Sequence, residues 1–98
     1  MKSREDILKV LDELKVEIKE KYGVKQIGLF GSFVSGGHKS GSDIDVLVEF
    51  EEGNETFKNY MALKYFLEEG FGGDVDLVLM GSIKPMIRAD ILRGAVYV

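Results

Sequence analysis

The chain has 98 residues, 17 of them acidic against 13 basic, with a net charge of −4 and 45% hydrophobic residues. That is the composition of one small globular domain. It excludes a disordered chain, and an acidic balance without any basic stripe argues against direct binding of DNA or RNA. With no cysteine and a single histidine, disulfides, thiolate clusters and imidazole-built zinc sites are excluded, so any metal must be held by oxygen.

A domain of this size buries about 60 to 65% of its unfolded surface, enough for one sheet and a few helices. Ser3 followed by Asp6 reads as a capped helix start, and Ile7, Leu11, Leu14, Ile18 and Tyr22 recur at helical spacing up to Gly23. VKQIGLF then reads as a buried strand ending at a glycine- and serine-rich loop. From Asp43 the chain alternates: Ile44, Val46, Val48 and Phe50 share one face, and Asp43, Asp45, Leu47 and Glu49 the other.

After the loop EEGNET, the pattern predicts a helix from Thr56 to Glu69, ended by Gly70, with Phe57, Tyr60, Met61, Leu63, Phe66 and Leu67 as its core contacts. DVDLVLM repeats the alternation, setting Asp74, Asp76 and Val78 opposite Val75, Leu77 and Leu79. Ser82 is expected to cap a last helix with Pro85 in its first turn, running to Gly94, with AVYV as an extended tail. The order predicts an α/β (α+β) fold, a mixed β-sheet covered by helices, in one domain spanning 1–98. No stretch reads as a signal peptide or a membrane span, so the expected compartment is the cytoplasm and no membrane partner is expected.

Chemistry concentrates in GLFGSFVSGGHKSGSDID, residues 28–45. Residues two apart on a strand stand about 7 Å apart with side chains on the same face, so the Asp43 and Asp45 carboxylates can converge. Two such anions repel unless hard divalent cations lie between them, and Mg²⁺ is typically held by one or two carboxylates with phosphate oxygens and water. Asp76, on a separate strand, is the natural third ligand. Gly31 and Ser32, directly after the first strand, offer close backbone approach, N–H groups and a hydroxyl to a phosphate. No G-x-G-x-x-G follows a strand and no G-x-x-x-x-G-K-[ST] is present, so the phosphate grip is neither a Rossmann nor a P-loop type.

Gly31-Ser32, ten intervening residues and then Asp43-Ile44-Asp45 resemble the G-S…D-x-D signature of the DNA polymerase β-like nucleotidyltransferase superfamily. Within it the chain is most similar to the minimal nucleotidyltransferases (MNT), since VLVEFEEGNETFKNYMALKYFLEE, DVDLV and IKPMIRADILRGAVYV follow in the same order and spacing over about residues 24–97. The resemblance implies the single-domain nucleotidyltransferase fold. It implies that Asp43, Asp45 and Asp76 are the catalytic carboxylates and ligands of two Mg²⁺ ions. It also implies that Gly31 and Ser32, with Lys39 and Ser42, bind a nucleoside triphosphate, expected to be ATP.

The implied reaction moves a nucleoside monophosphate to an acceptor hydroxyl. In HEPN/MNT toxin–antitoxin pairs that acceptor is a tyrosine of the HEPN toxin, which is the partner the resemblance implies here. The chain departs from the family in one place: Ser35 stands where an arginine or lysine is common, leaving Lys39 or His38 as substitute cations, while Gly94 replaces a common acid. Two alternatives stay open, the first of them motivated by Ser35. One is a binding module that neutralises the toxin by contact; the other is transfer to a small molecule such as an aminoglycoside, with a homo-oligomer supplying the missing wall. His38 otherwise reads as an exposed loop residue, and Arg88 as a surface charge of the last helix or a contact near the nucleotide or partner.

Overall fold

Ser3 opens the first helix with a reciprocal pair of hydrogen bonds: its hydroxyl accepts from the Asp6 amide at 3.2 Å and its own amide donates to the Asp6 carboxylate at 3.1 Å. Residues 3–31 and 43–98 are described by the structure, a computed structural model. Helix α1 (Arg4–Tyr22) carries Glu5 and Asp6 in its first turn and Lys19 and Lys21 in its last, complementing the helix dipole, and closes on Gly23 in the left-handed conformation.

The chain continues through β1 (Val24–Leu29), β2 (Ile44–Phe50), α2 (Phe57–Phe71) and β3 (Val75–Leu79). A 3₁₀ turn at Met80–Ser82 leads into α3 (Pro85–Gly94) and β4 (Val96–Tyr97). The four strands form one mixed sheet in the order β3-β2-β1-β4. β1 pairs antiparallel with both β2 and β4, while β2 and β3, joined across α2, are parallel.

Alternation along the strands divides the hydrophobic core in two. Val46 and Val48 of β2 pack with Ile7, Leu11 and Ile18 of α1, Ile27 and Leu29 of β1, and Leu63, Leu67 and Phe71 of α2, all fully buried. Leu47, one residue out of phase, belongs to a smaller cluster with Met80 and Ile83, backed by Ile91 and Leu92 of α3 and by Tyr97. Helices α1 and α2 therefore cover one face of the sheet and α3 lies on the other. Tyr60 fixes α2 to β3, its hydroxyl donating to the Leu77 carbonyl at 2.5 Å, and the Glu68 carboxylate accepts from the Val75 amide at 3.1 Å where β3 begins.

The expected strands and helices form, with three corrections. Helix α2 runs past Gly70 to Phe71 and is capped by Gly72. Gly70 lies inside the helix, where a Cβ would stand 2.8 Å from the tip of Leu14 of α1, and it does not stop the helix. Phe57, expected in the core, is 80% exposed. Helical periodicity selects a face but not where along the helix the sheet begins to cover it, and the buried stripe of α2 begins only at Leu63.

Ser82 does not cap the last helix; its hydroxyl donates to the Leu79 carbonyl at 2.9 Å, and the cap position is Lys84. Proline favours the first helical position and holds the residue before it extended, so α3 starts at Pro85 and not earlier. The tail AVYV contributes β4, and the Val98 amide donates to the Ile27 carbonyl at 3.2 Å, adding a strand beside β1. Among the described residues, no helix is long and apolar enough to cross a membrane.

Candidate active site

The parallel pairing of β2 and β3 sets Asp45 directly opposite Asp76, in a register that runs Ile44 with Val75, Asp45 with Asp76 and Val46 with Leu77. Neighbouring strands lie about 4.8 Å apart, so the two carboxylates leave adjacent backbones on the same face, the one that carries α3. Two contacts hold this corner. The Ile44 amide donates to the Asp74 carbonyl at 2.9 Å, and the Phe30 amide donates to the Asp45 carbonyl at 3.1 Å. The ends of β1, β2 and β3 are thereby locked together around the pair.

Asp45 and Asp76 line one cavity of about 440 Å³. Its other walls are Phe30 after β1, Val78 of β3, Ser82, Ile83 and Lys84 before α3, and Ile87 and Ile91 of α3. A smaller cavity of about 380 Å³ lies between the start of α2 and β3, with Phe57, Tyr60 and Leu77 in its lining, and holds Glu55 but not the strand-borne pair. The chemistry that needs two converging carboxylates belongs to the larger one.

Gly31 is part of this geometry in a way its sequence context did not reveal. Its φ is +73°, and a Cβ there would lie 2.2 Å from Asp45 Oδ2. The residue thus combines a left-handed backbone with room for the Asp45 carboxylate against the main chain, two demands that only glycine meets without strain. Asp43, two residues before Asp45 and so on the same face, is exposed at the entrance to β2 and is not in the lining of the cavity. Asp76 is exposed and Asp45 half-buried.

Of the seven site residues expected from the sequence, the structure brings Gly31 against Asp45 and sets Asp45 and Asp76 in one cavity, while Asp43 lies just before β2, outside the cavity's lining. Ser32, Lys39 and Ser42 lie outside the described residues, as do Ser35 and His38. Among the described residues no three acidic side chains already converge as a metal cage. The donor set nonetheless suits Mg²⁺, which takes few protein carboxylates and completes its shell with water and phosphate oxygens. Lys84, Ile87 and Ile91 face the carboxylates from the α3 side and went unnoticed as site residues. The one sequence signal for them was Lys84-Pro85, a lysine where a helix cap prefers serine, aspartate or asparagine.

A carboxylate pair in register on two parallel strands, with a glycine turn closing the neighbouring strand against one of them, is an arrangement that can hold a divalent cation together with phosphate oxygens. Residues 11–98 match the family model described as a nucleotidyltransferase domain, and the chain belongs to that family. It is 43% identical to the protein adenylyltransferase MntA of Thermococcus cleftensis, over all of this chain and 98% of that one. A solved structure described as a minimal nucleotidyltransferase superposes with a TM-score of 0.81 at 33% identity, covering 97% of this chain and 95% of the other. The same fold, at 18% identity and a TM-score of 0.64, occurs in the Shewanella oneidensis complex of a tri-AMPylated HEPN toxin with an MNT antitoxin, covering 93% of this chain and 70% of that one. The expected fold and family both stand.

Proposed function

We propose that this enzyme is an Mg²⁺-dependent adenylyltransferase that moves AMP from ATP onto a tyrosine hydroxyl of a HEPN-family toxin, and so acts as its antitoxin. The observation that carries the reading is Asp45 opposite Asp76 in one cavity, in a chain similar along its whole length to a protein adenylyltransferase. Asp43, Asp45 and Asp76 would hold the Mg²⁺, whose positive charge, when bound, offsets that of the carboxylates and the phosphates.

The chain's own residues position and neutralise. Gly31 keeps the main chain out of the way of the Asp45 carboxylate, and with Ser32, Lys39 and Ser42 it forms the expected grip on the triphosphate. The acceptor oxygen attacks the α-phosphorus in line, forming a new P–O bond. The bond from that phosphorus to the bridging oxygen breaks, and its electron pair leaves with pyrophosphate. The acceptor's proton passes to the Asp76 carboxylate. Ile83, Ile87 and Ile91 give the α3 side of the cavity an apolar lining.

The test is to incubate the purified protein with a HEPN-family partner, MgCl₂ and each nucleoside triphosphate in turn, and to read the partner's intact mass and the modified residue. A gain of AMP on tyrosine, with ATP alone and only with Mg²⁺, is expected. An unchanged mass with every nucleotide overturns the reading. Neutralisation retained by a protein lacking Asp43, Asp45 and Asp76 would show that contact alone suffices.

A further inference from the structure

Across the cavity from the two carboxylates stands a side chain that the transfer scheme above does not use. We propose that Lys84 is a substrate-positioning residue of this site, its ammonium group taking a phosphate oxygen of the nucleoside triphosphate from the α3 side. The proposal rests on the reading of the cavity as a nucleotide site. It adds a residue that neither the signature motif nor the strand pattern singled out.

Lys84 is the one basic side chain in the lining of the cavity among the described residues. It enters none of the ion pairs found among them, which are confined to Lys15 with Asp12, Lys21 with Glu17 and Arg93 with Asp90. The wall around it offers a phosphate little else. Ile83, Ile87 and Ile91 are apolar, and the Ser82 hydroxyl is committed to the Leu79 carbonyl. A triphosphate entering beside Asp45 and Asp76 brings further negative charge to a site that already has two carboxylates. A cation on the α3 side offsets part of that repulsion.

Local structure gives no reason for a lysine here. Residue 84 is the cap of α3, yet its side chain makes no capping hydrogen bond, and a positive charge at a helix N-terminus opposes the helix dipole. Two local preferences are broken at one position that faces a functional cavity, the pattern expected where a residue is kept for what it binds. Pro85 adds a benefit. The residue before a proline is held extended, as Lys84 is with φ −61° and ψ 138°, so its backbone is fixed in advance and only the side chain must be ordered on binding. An ammonium on a flexible stem engages phosphate as a point charge, whichever oxygen is presented.

The experiment compares wild type with Lys84→Gln and Lys84→Arg in the presence of MgCl₂, measuring equilibrium binding of ATP and of adenosine, and KM and kcat for labelling of the HEPN partner. Lys84→Gln should weaken ATP binding about tenfold, as expected for loss of a charge-assisted hydrogen bond, and leave adenosine binding unchanged. Lys84→Arg should recover most of the loss, and the KM for the partner should stay at the wild-type value. ATP affinity within about twofold of wild type in Lys84→Gln would overturn the proposal, as would an equal loss for adenosine. A raised KM for the partner with ATP affinity intact would also overturn it, assigning Lys84 to partner docking instead. Lys84 is exposed, so the variants should fold, and an unchanged melting temperature checks that. Wild type that binds ATP but labels no partner would refute the proposed acceptor while leaving the comparison of Lys84 variants decisive; wild type that does not bind ATP refutes both.

Discussion

Strand β2 presents Val46 and Val48, fully buried, to α1 and α2, and Asp45 and Glu49, half-buried, to the opposite side. The first face is a continuous core shared by two long helices and three strands. The second is covered only in part by α3, a helix of ten residues with none fully buried, whose Met86 is 91% exposed and whose Ile87 is 49% exposed. The even-numbered residues of this strand thus serve the larger core, while the odd-numbered ones set Asp45 in the cleft and Leu47 in the smaller core cluster. The division lets the cleft carry Asp45 and Asp76 while the larger core lies on the other face.

If the two faces are separable in this way, substitutions should sort by face. Asp45→Asn with Asp76→Asn should reduce transfer by about 10³-fold or more, as loss of paired electrostatic groups does, while the chain still folds cooperatively; a collapsed melting transition would show that the carboxylates also hold the fold together. On the core face, Leu67→Ala should cost about 3 kcal/mol in urea unfolding through the cavity it leaves. The fraction that remains folded should keep its kcat, and a fall in kcat beyond the folded fraction would break the separation.

Gly31→Ala falls between the two. It should lose about 1 to 2 kcal/mol to its left-handed backbone, and transfer should fall further than that loss explains, because the new Cβ displaces the Asp45 carboxylate. Normal activity would detach Gly31 from the site. The smallest effect should come from Tyr97, at the margin of the smaller cluster. Burial, and then the charge of Glu49, push its hydroxyl above the ordinary phenol range. The folded chain therefore holds this proton more tightly than the unfolded one. The stability it contributes is whole below the ordinary phenol pKa and is lost as pH rises through the raised one. Tyr97→Phe should remove that alkaline component from a pH series of melting temperatures, and an identical series would assign the alkaline loss to other groups.

Much of this division is legible in the residues alone. The alternation from Asp43 to Phe50 assigns both faces of β2 correctly, and the same alternation in DVDLVLM puts Asp76 on the side of Asp45. What the pattern does not contain is register: only the parallel pairing of β2 with β3 makes Asp45 and Asp76 direct neighbours. The far wall was illegible for a different reason. Ile87 and Ile91 have the spacing of ordinary core residues, and Lys84 reads as a surface charge, until the path of α3 across the sheet turns all three toward the carboxylates. Phe57 and Gly70 were misread because periodicity and composition describe an element in isolation, whereas coverage by a sheet and contact with a second helix are properties of the assembly.

Asp45 and Asp76 are separated by the whole of α2 along the chain and meet only through the parallel pairing of β2 with β3. Contacts between distant segments carry a cost of loop closure that local contacts do not. A chain that has collapsed around α1 and β1 but not yet joined those two strands has no active site at all. The carboxylate pair is therefore made by tertiary structure alone, and any opening of the β2–β3 pairing takes it apart.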